Sequence, residues 1–264
     1  MYLVRKVKKC FCGLNPSLYG DYCDYDEAEK RSGTYDDEAI VHKVLEATQL
    51  VISGIKAYER DGVCFEHLEI NYNLLYYFEK IYIQDGELNV CDFGGALGST
   101  YWQHKKSFFD EIQVSWNIVE QGKFVDCGKK YIKDEHLKFY FNVNEINTNI
   151  NCVLFSSVLQ YFENFNFIKI IINYLHPEYI IFERTPVSIR KRILIEDVSE
   201  PIYNSKRPYV CNKEEELVGF IQGNGYDLID SWDSLVDPKI RLGKQLIELK
   251  SFVFKKCDFT MLTS

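Results

Sequence analysis

The segment from Leu88 to Gly98 constrains the fold more than any other part of the sequence. A short apolar run, Leu88 to Phe93, predicts a buried strand, and the acidic Asp92 lies near its end. Three glycines then form a turn before a segment that can begin a helix: Gly94, Gly95 and Gly98. Glycines let a backbone approach a ligand without obstruction by Cβ, and a helix start presents unpaired N–H groups. A strand, a glycine turn and a helix in this order are typical of a site for a nucleotide-type ligand.

Beyond the turn, apolar runs alternate with amphipathic segments, which predicts a sheet built around this first strand. The predicted strands are residues 88–93, 114–120, 137–143, 152–157, 179–185, 226–232 and 249–255. Crossovers separate the first five strands, so we expect an α/β fold with a mostly parallel, seven-stranded sheet and an antiparallel insertion at its end. The segment from Pro186 to Tyr209 holds three prolines and many basic residues, and we expect it to be irregular. Ligands of such sheets bind at the carboxyl ends of the strands.

Residues 1–86 have a mostly helical pattern, with helices predicted at 25–30, 38–55 and 68–83. Asp36 and Asp37 are good N-cap residues for the second of these helices. No flexible linker separates this part from the strands that follow. We therefore expect residues 1–86 to form a helical cap that packs on a main domain of residues 87–264.

The overall charge argues against two classes of partner. The chain has 264 residues, 46% of them apolar, and a net charge of −8. A general affinity for nucleic acid or for an anionic membrane needs a basic face, so we expect neither partner. No apolar run approaches the length of a membrane span, and the basic N-terminal segment lacks the apolar stretch of a signal peptide.

The nine cysteines predict a reduced protein of the cytosol, because their number is odd, their spacing is irregular and no CxxC pair occurs. Cys10, Cys12 and Cys23 are a weak candidate for a metal cluster, since their spacing is poor and no histidine is near. We therefore expect no metal site.

The glycine turn alone has several interpretations. A dinucleotide fold favours G-x-G-x-x-G, whereas here Asp92 precedes the first glycine by two residues and Ala96 stands where the second motif glycine is expected. Another interpretation is a plain strand–turn–helix that binds no ligand. Glu120, at the end of the second strand, adds a second signal because a carboxylate there can accept hydrogen bonds from two ribose hydroxyls.

Four further segments carry a more specific signal than the turn. DFGGALGSTYWQHKK, WNIVEQGKFVDCGKK, LFSSVLQYF and YIIFERTP, in this order, closely resemble a family of class I S-adenosylmethionine-dependent methyltransferases associated with bacterial surface-polysaccharide (capsule or lipopolysaccharide) gene clusters. LYGDYCDYDEAEKRSGTYDDEAI and YERDGVCF resemble the cap region of that family. The resemblance implies the class I methyltransferase fold, which is Rossmann-like, and S-adenosylmethionine as the methyl donor.

The resemblance also implies roles for individual residues. Those expected to cradle the methionine end of the donor are Asp92, Gly94, Gly95 and Gly98, with Glu120 on the ribose. Weaker candidates for the adenosine region are Gln121, Asn142 and Ser156. In the strand-five motif the family more often has Asp where this chain has Glu183.

Methyl transfer needs an aligned acceptor and a route for the acceptor's proton. His104, on the helix after the turn, and Glu183 are candidate bases, and Tyr101 is a further option. Arg184 is a candidate for binding an anionic acceptor. The charged segment from Tyr58 to Asp61 either closes over the acceptor or is a solvated turn. The basic residues between 184 and 207 favour a solvated loop over a phosphate or sugar-nucleotide contact.

The sequence thus predicts an S-adenosylmethionine-dependent methyltransferase that acts on a small polar acceptor, either a sugar hydroxyl or a phosphoryl-linked oxygen, in surface-polysaccharide assembly. The alternatives are an NAD(P)-dependent Rossmann oxidoreductase and a non-catalytic module that keeps the fold. An aromatic content of 15% is compatible with an interface between copies in a homo-oligomer, and equally with a ring-rich core or acceptor pocket.

Overall fold

The computed structural model describes residues 17–32, 38–198, 205–234, 239–242 and 245–257. Its strands are β1 (Ser17–Tyr19), β2 (Tyr58–Arg60), β3 (Val63–Phe65), β4 (Leu88–Phe93), β5 (Val114–Val119), β6 (Leu137–Tyr140), β7 (Cys152–Ser156), β8 (Tyr179–Val187), β9 (Arg192–Val198), β10 (Ser205–Cys211), β11 (Tyr226–Asp233), β12 (Lys239–Leu242) and β13 (Gln245–Lys256). Its α-helices are α1 (Tyr25–Lys30), α2 (Glu38–Ile52), α3 (Tyr72–Asp85), α4 (Ser99–His104), α5 (Gly122–Tyr131), α6 (Asn166–Leu175) and α7 (Glu214–Gln222).

The main sheet has the strand order β6-β5-β4-β7-β8-β13-β11, with β4 at its centre. The five strands from β6 to β8 are parallel, and β13 runs antiparallel between β8 and β11. Counted along the chain, these are the third, second, first, fourth, fifth, seventh and sixth strands of the sheet. This order, with the seventh strand, β13, antiparallel to the others, is that of the class I methyltransferase fold. The short β12 adds an eighth strand, because β13 is long enough to pair with it beyond the edge of β11.

Side chains that alternate along each strand fill two cores, one on each face of the sheet. Val90 faces one core and its neighbour Cys91 faces the other, as the period of two in a strand requires. Helices α2, α3 and α5 cover the first face, while α6 and α7 cover the second. The parallel strands are therefore buried on both sides, which explains their nearly continuous apolar sequences.

The N-terminal part contains strands as well as helices. Strand β1 belongs to a second, three-stranded sheet, and β2 and β3 form a hairpin. Helix α3 begins where Asn71 accepts a hydrogen bond from the N–H of Leu74, and it ends at Gly86 in the left-handed conformation. Helices α2 and α3 share the hydrophobic core of the main sheet. A division of the chain at residue 86 stays a prediction.

The prediction of an irregular segment between Pro186 and Tyr209 is wrong. Strand β8 continues to Val187, and β9 and β10 form an antiparallel pair. Strand β1 pairs with the other edge of β9. The basic residues misled the prediction because ion pairs within this small sheet neutralise them. Arg207 donates from Nε to Glu196 at 2.5 Å, and both side chains are buried. Arg192 is buried beside Asp21, and Lys206 pairs with Asp197.

No helix in the described part of the chain is long and apolar enough to cross a membrane. Seven cysteines fall within the described ranges, and all of them are free thiols. Cys10 and Cys12, two members of the weak metal candidate, lie outside these ranges.

Candidate active site

A cavity of about 490 Å³ lies at the carboxyl ends of the parallel strands. Its floor is formed by residues that follow or end β4, β5 and β7, and by two residues midway along β8 that are level with the end of β7. This is the expected ligand edge of an open α/β sheet. The β2–β3 hairpin, the start of α4 and the loop before α3 close its sides. Site residues from distant parts of the sequence therefore meet in one place.

The glycine turn contributes backbone to this cavity. Gly94 has a φ of +74°, and a Cβ built on it would lie 2.4 Å from Cγ2 of Val158, so only glycine fits there. Ala96, which stands at the motif's second glycine, has a φ of +49° and also lines the cavity. Gly98 caps α4 and lies outside the lining. The turn therefore brings Gly94, Gly95 and Ala96 to the ligand space.

Asp92 lies beneath the turn and does not line the cavity. Its Oδ2 accepts a hydrogen bond from Nε1 of Trp116 at 3.0 Å, and a Cβ built on Gly95 would lie 2.4 Å from the same oxygen. Burial raises the pKa of Asp92 to about 7, and the hydrogen bond from Trp116 only partly opposes this effect. Asp92 thus supports the turn from below, and the structure does not bring its carboxylate to the ligand.

The raised pKa of Asp92 predicts a loss of stability with rising pH. The folded chain holds this proton more tightly than the unfolded chain, whose Asp titrates near pH ~4, so the free energy of unfolding falls between pH ~4 and pH ~7. We expect Asp92→Asn, which keeps an acceptor for Trp116, to remove about 2–4 kcal/mol of this fall. Urea unfolding at pH 5 and pH 8 measures it, and an unchanged difference in the variant would contradict the assignment. Glu59, whose pKa burial also raises to about 7, contributes a slope of the same sign.

Three of the four predicted nucleoside-binding residues, Glu120, Gln121 and Ser156, line the cavity, and Asn142 does not. Glu120 follows β5, and it and Gln121 at the start of α5 both line the cavity. Asn142 is exposed and lies outside the lining, where its Nδ2 is 3.5 Å from Oε1 of Glu145. Phe141, one residue earlier, lines the cavity in its place.

A second carboxylate, that of Glu183, lies across the floor midway along β8, where Glu183 pairs in register with Ser156 at the end of β7. Oγ of Ser156 donates to Oε2 of Glu183 at 3.0 Å, and Nδ2 of Asn71 lies 3.4 Å from Oε1. Glu183 is therefore held by two hydrogen-bond donors at the cavity wall, with only 9% of its surface exposed. Asn71 was missed at the sequence level because its contact with Glu183 spans the fold.

Arg184 lines the cavity beside Glu183. Its φ is +55°, an unfavourable conformation for a residue with a Cβ, which is typical of functional sites. Its Nε atom is buried and has no hydrogen-bond partner among the described residues. An unsatisfied buried donor at a cavity wall is a binding group for a ligand acceptor atom.

His104 reaches the cavity, but both of its ring nitrogens are engaged. Nδ1 lies 2.9 Å from the carbonyl oxygen of Thr100, and the N–H of Asn71 donates to Nε2 at 3.2 Å. Burial lowers the pKa of His104 to about 4, so the ring is neutral at pH 7 and its lone pair is occupied. This geometry favours a role in positioning the loop before α3 over a role as base.

The β2–β3 hairpin is part of the site and not a solvated turn. Tyr58 and Glu59 are 2% exposed, and Glu59, Arg60 and Asp61 line the cavity. Asp61 and Gly62 form the two-residue turn with φ values of +51° and +75°, which an Asp-Gly pair favours. That dipeptide is the sequence signal for the hairpin. None of the described basic residues from 190 to 207 lines the cavity.

Comparison with known proteins gives weak similarities. No protein-family model and no curated protein matches the chain. Among solved structures, it is similar to an S-adenosylmethionine-dependent methyltransferase from Clostridium acetobutylicum, with 10% identity, a TM-score of 0.45 and coverage of 72% of this chain and 93% of that one. It is also similar to the 1,6-didemethyltoxoflavin-N1-methyltransferase of Burkholderia thailandensis, with 12% identity, a TM-score of 0.43 and coverage of 94% of this chain and 98% of that one. A third similar structure is an S-adenosylmethionine-dependent methyltransferase from Methanosarcina mazei, with 8% identity, a TM-score of 0.47 and coverage of 70% of this chain and 98% of that one. At these values the activity has to be derived from the site itself.

Proposed function

We propose that this chain is a methyltransferase that uses S-adenosylmethionine. The observation that supports this most is the set of groups in one cavity: the backbone of the turn after β4, the carboxylate of Glu120 after β5, and the held carboxylate of Glu183 in β8, opposite the end of β7. The backbone turn and the Glu120 carboxylate suit a nucleoside that carries an amino-acid tail. The Glu183 carboxylate suits removal of a proton from the molecule that receives the methyl group.

Each group has a role in this proposal. The Glu120 carboxylate accepts hydrogen bonds from the two ribose hydroxyls, beside Gln121. Gly94, Gly95 and Ala96 allow the methionine part to lie against backbone. S-adenosylmethionine supplies an electrophilic methyl group on a sulfonium sulfur. Gly98 caps α4 behind the turn, and Asp92 supports the turn from below.

The acceptor lies over the end of β7 and the middle of β8 in this proposal. As the acceptor forms its bond to the methyl carbon and the carbon–sulfur bond breaks, Glu183 takes the acceptor's proton. Ser156 and Asn71 hold the carboxylate so that its two oxygens keep a fixed direction. Arg184 offers its buried Nε to a polar or anionic part of the acceptor.

The acceptor that we propose is a small polar molecule, either a sugar hydroxyl or a phosphoryl-linked oxygen. The resemblance of four sequence segments to methyltransferases of surface-polysaccharide clusters supports this choice. Arg184 supports an anionic group near the reacting oxygen. The toxoflavin-type methyltransferase among the similar structures acts on nitrogen according to its name, so amines belong in any acceptor screen.

Calorimetric titration with S-adenosylhomocysteine, and with NADH for comparison, tests the donor. We expect the first to bind and NADH not to bind, because the glycine turn lacks the G-x-G-x-x-G order of dinucleotide sites. Binding of NADH without S-adenosylhomocysteine would favour an oxidoreductase. Binding of S-adenosylhomocysteine without methyl transfer to any fraction of an extract would favour a non-catalytic module.

A further inference from the structure

The glycine turn leaves one part of the proposed donor without charged partners. The amino-acid end of S-adenosylmethionine carries an ammonium and a carboxylate, and a buried zwitterion needs a group of opposite charge for each. Gly94, Gly95 and Ala96 offer only backbone, and Asp92 lies beneath them, outside the cavity. The charges for this end must therefore come from another element.

The β2–β3 hairpin supplies a carboxylate beside the turn. Oγ of Ser99, the first residue of α4, donates a hydrogen bond to Oε1 of Glu59, and the N–H of Gly62 donates to Oε2 at 3.1 Å. Ser99 follows the glycine turn directly, so the carboxyl group of Glu59 lies at the side of the cavity that the turn forms. A carboxylate buried at a cavity wall and held by two donors is a binding group for an ammonium.

The next residue of the same strand supplies a cation. The guanidinium of Arg60 lies over the rings of Tyr58 and Phe65, with its carbon 5.6 Å and 6.0 Å from their centroids. Its Nη2 is 3.7 Å from Oε2 of Glu69, which is longer than a hydrogen bond. Stacking thus holds the guanidinium in place while donors remain for a ligand carboxylate.

The stacked hairpin fixes both groups relative to each other. The rings of Tyr58 and Phe65 lie 4.5 Å apart on facing strands, and the hydroxyl of Tyr58 donates to Oε2 of Glu69 at 2.8 Å. Glu59 and Arg60 are adjacent in β2 and both line the cavity, although successive side chains leave opposite faces of a strand. One ligand in the cavity can therefore contact a carboxylate and a guanidinium of the same hairpin.

We propose that Glu59 and Arg60 bind the ammonium and the carboxylate of the donor's methionine end, so that the hairpin recognises the amino-acid part of the molecule. This inference rests on the proposed function. It assigns to the hairpin the role that the sequence gives to the residues around the glycine turn.

Comparing two ligands distinguishes binding of the amino-acid end from binding of the nucleoside. S-adenosylhomocysteine contains the amino-acid end, whereas 5′-methylthioadenosine keeps the nucleoside and the sulfur but lacks that end. We expect Glu59→Gln and Arg60→Gln each to weaken S-adenosylhomocysteine binding by about tenfold to a hundredfold, the effect of losing one charged hydrogen-bond partner. Binding of 5′-methylthioadenosine should change by less than about twofold. Calorimetric titration of both ligands measures this.

Matched controls come from the ion pair of Lys56 and Glu66, which flanks the same hairpin and does not line the cavity. Lys56→Gln and Glu66→Gln remove the same charges and should bind both ligands as the parent does. Equal weakening of both ligands in the Glu59 and Arg60 variants, or unchanged S-adenosylhomocysteine binding, would overturn the inference alone. Failure of the parent chain to bind either ligand would overturn the proposed function as well. Arg60→Gln, on a partly exposed side chain, keeps the test decisive if Glu59→Gln does not fold.

Discussion

Replacing Glu120 by alanine is expected to weaken S-adenosylhomocysteine binding by about 10²–10⁴-fold. The carboxylate follows β5 at the cavity wall, where it can accept two hydrogen bonds from ribose, and each bond to a charged acceptor contributes about 1.5–3 kcal/mol. Its removal leaves both hydroxyls without this partner. Calorimetry or competition with a fluorescent adenosine analogue measures the loss.

Two further variants sharpen this prediction. Glu120→Gln keeps one acceptor oxygen and should fall between the parent and the alanine variant. Glu135→Ala removes a carboxylate that is 85% exposed, near the opposite end of the neighbouring β6, and should bind normally. A loss below about threefold in Glu120→Ala would show that the ribose lies elsewhere.

Replacing Glu183 by glutamine is expected to lower methyl transfer by about 10²–10⁴-fold, the usual contribution of a general base. Gln keeps the size of the side chain and an oxygen that can accept from Ser156, but it cannot take the acceptor's proton. The measurement is transfer of labelled methyl from S-adenosylmethionine to the small-molecule fraction of a cell extract. Binding of S-adenosylhomocysteine should remain within about twofold of the parent.

Glu178→Gln is the matched control, because Glu178 directly precedes β8 at the opposite end of the strand from the cavity and pairs with Lys255. Ser156→Ala should lower transfer by less than Glu183→Gln, since it removes only one of the donors that hold the carboxylate. If Glu183→Gln transfers methyl at the parent rate, another group removes the proton or none is needed.

Sequence patterns predicted most of the main sheet correctly. Strand β4 has the predicted bounds, and the other main strands differ at their ends by a few residues. Continuous apolar runs mark strands that are buried on both faces, so their position does not depend on distant contacts. Strands β9 and β10 were missed because Arg207 pairs with Glu196 inside the small sheet, and no local pattern shows where a partner of opposite charge will lie.

The site was predictable where a residue ends a parallel strand. Glu120 follows β5 and Ser156 ends β7, so both reach the cavity, and Glu183 joins them because it pairs in register with Ser156 although β8 continues to Val187. Asp92 and His104 illustrate what a local pattern lacks. The Asp92 side chain lies beneath the glycine-rich segment and accepts a hydrogen bond from Trp116. The His104 ring accepts one from the backbone of Asn71, a residue of another loop. In both cases the direction of the side chain depends on packing that only the folded chain specifies.

The small sheet has a consequence for the order in which this protein folds. Strand β1 pairs with β9, so that Leu18 lies opposite Glu196, whereas β9 and β10 are neighbours in the chain. Closing so long a loop costs more entropy than forming a hairpin, and contacts between distant residues form slowly. We expect β1 to dock late, after the main sheet has formed. Leu18 of β1 belongs to the hydrophobic cluster against which Tyr161, at the cavity wall, packs. A newly made chain therefore gains its main core before this wall of the cavity is complete.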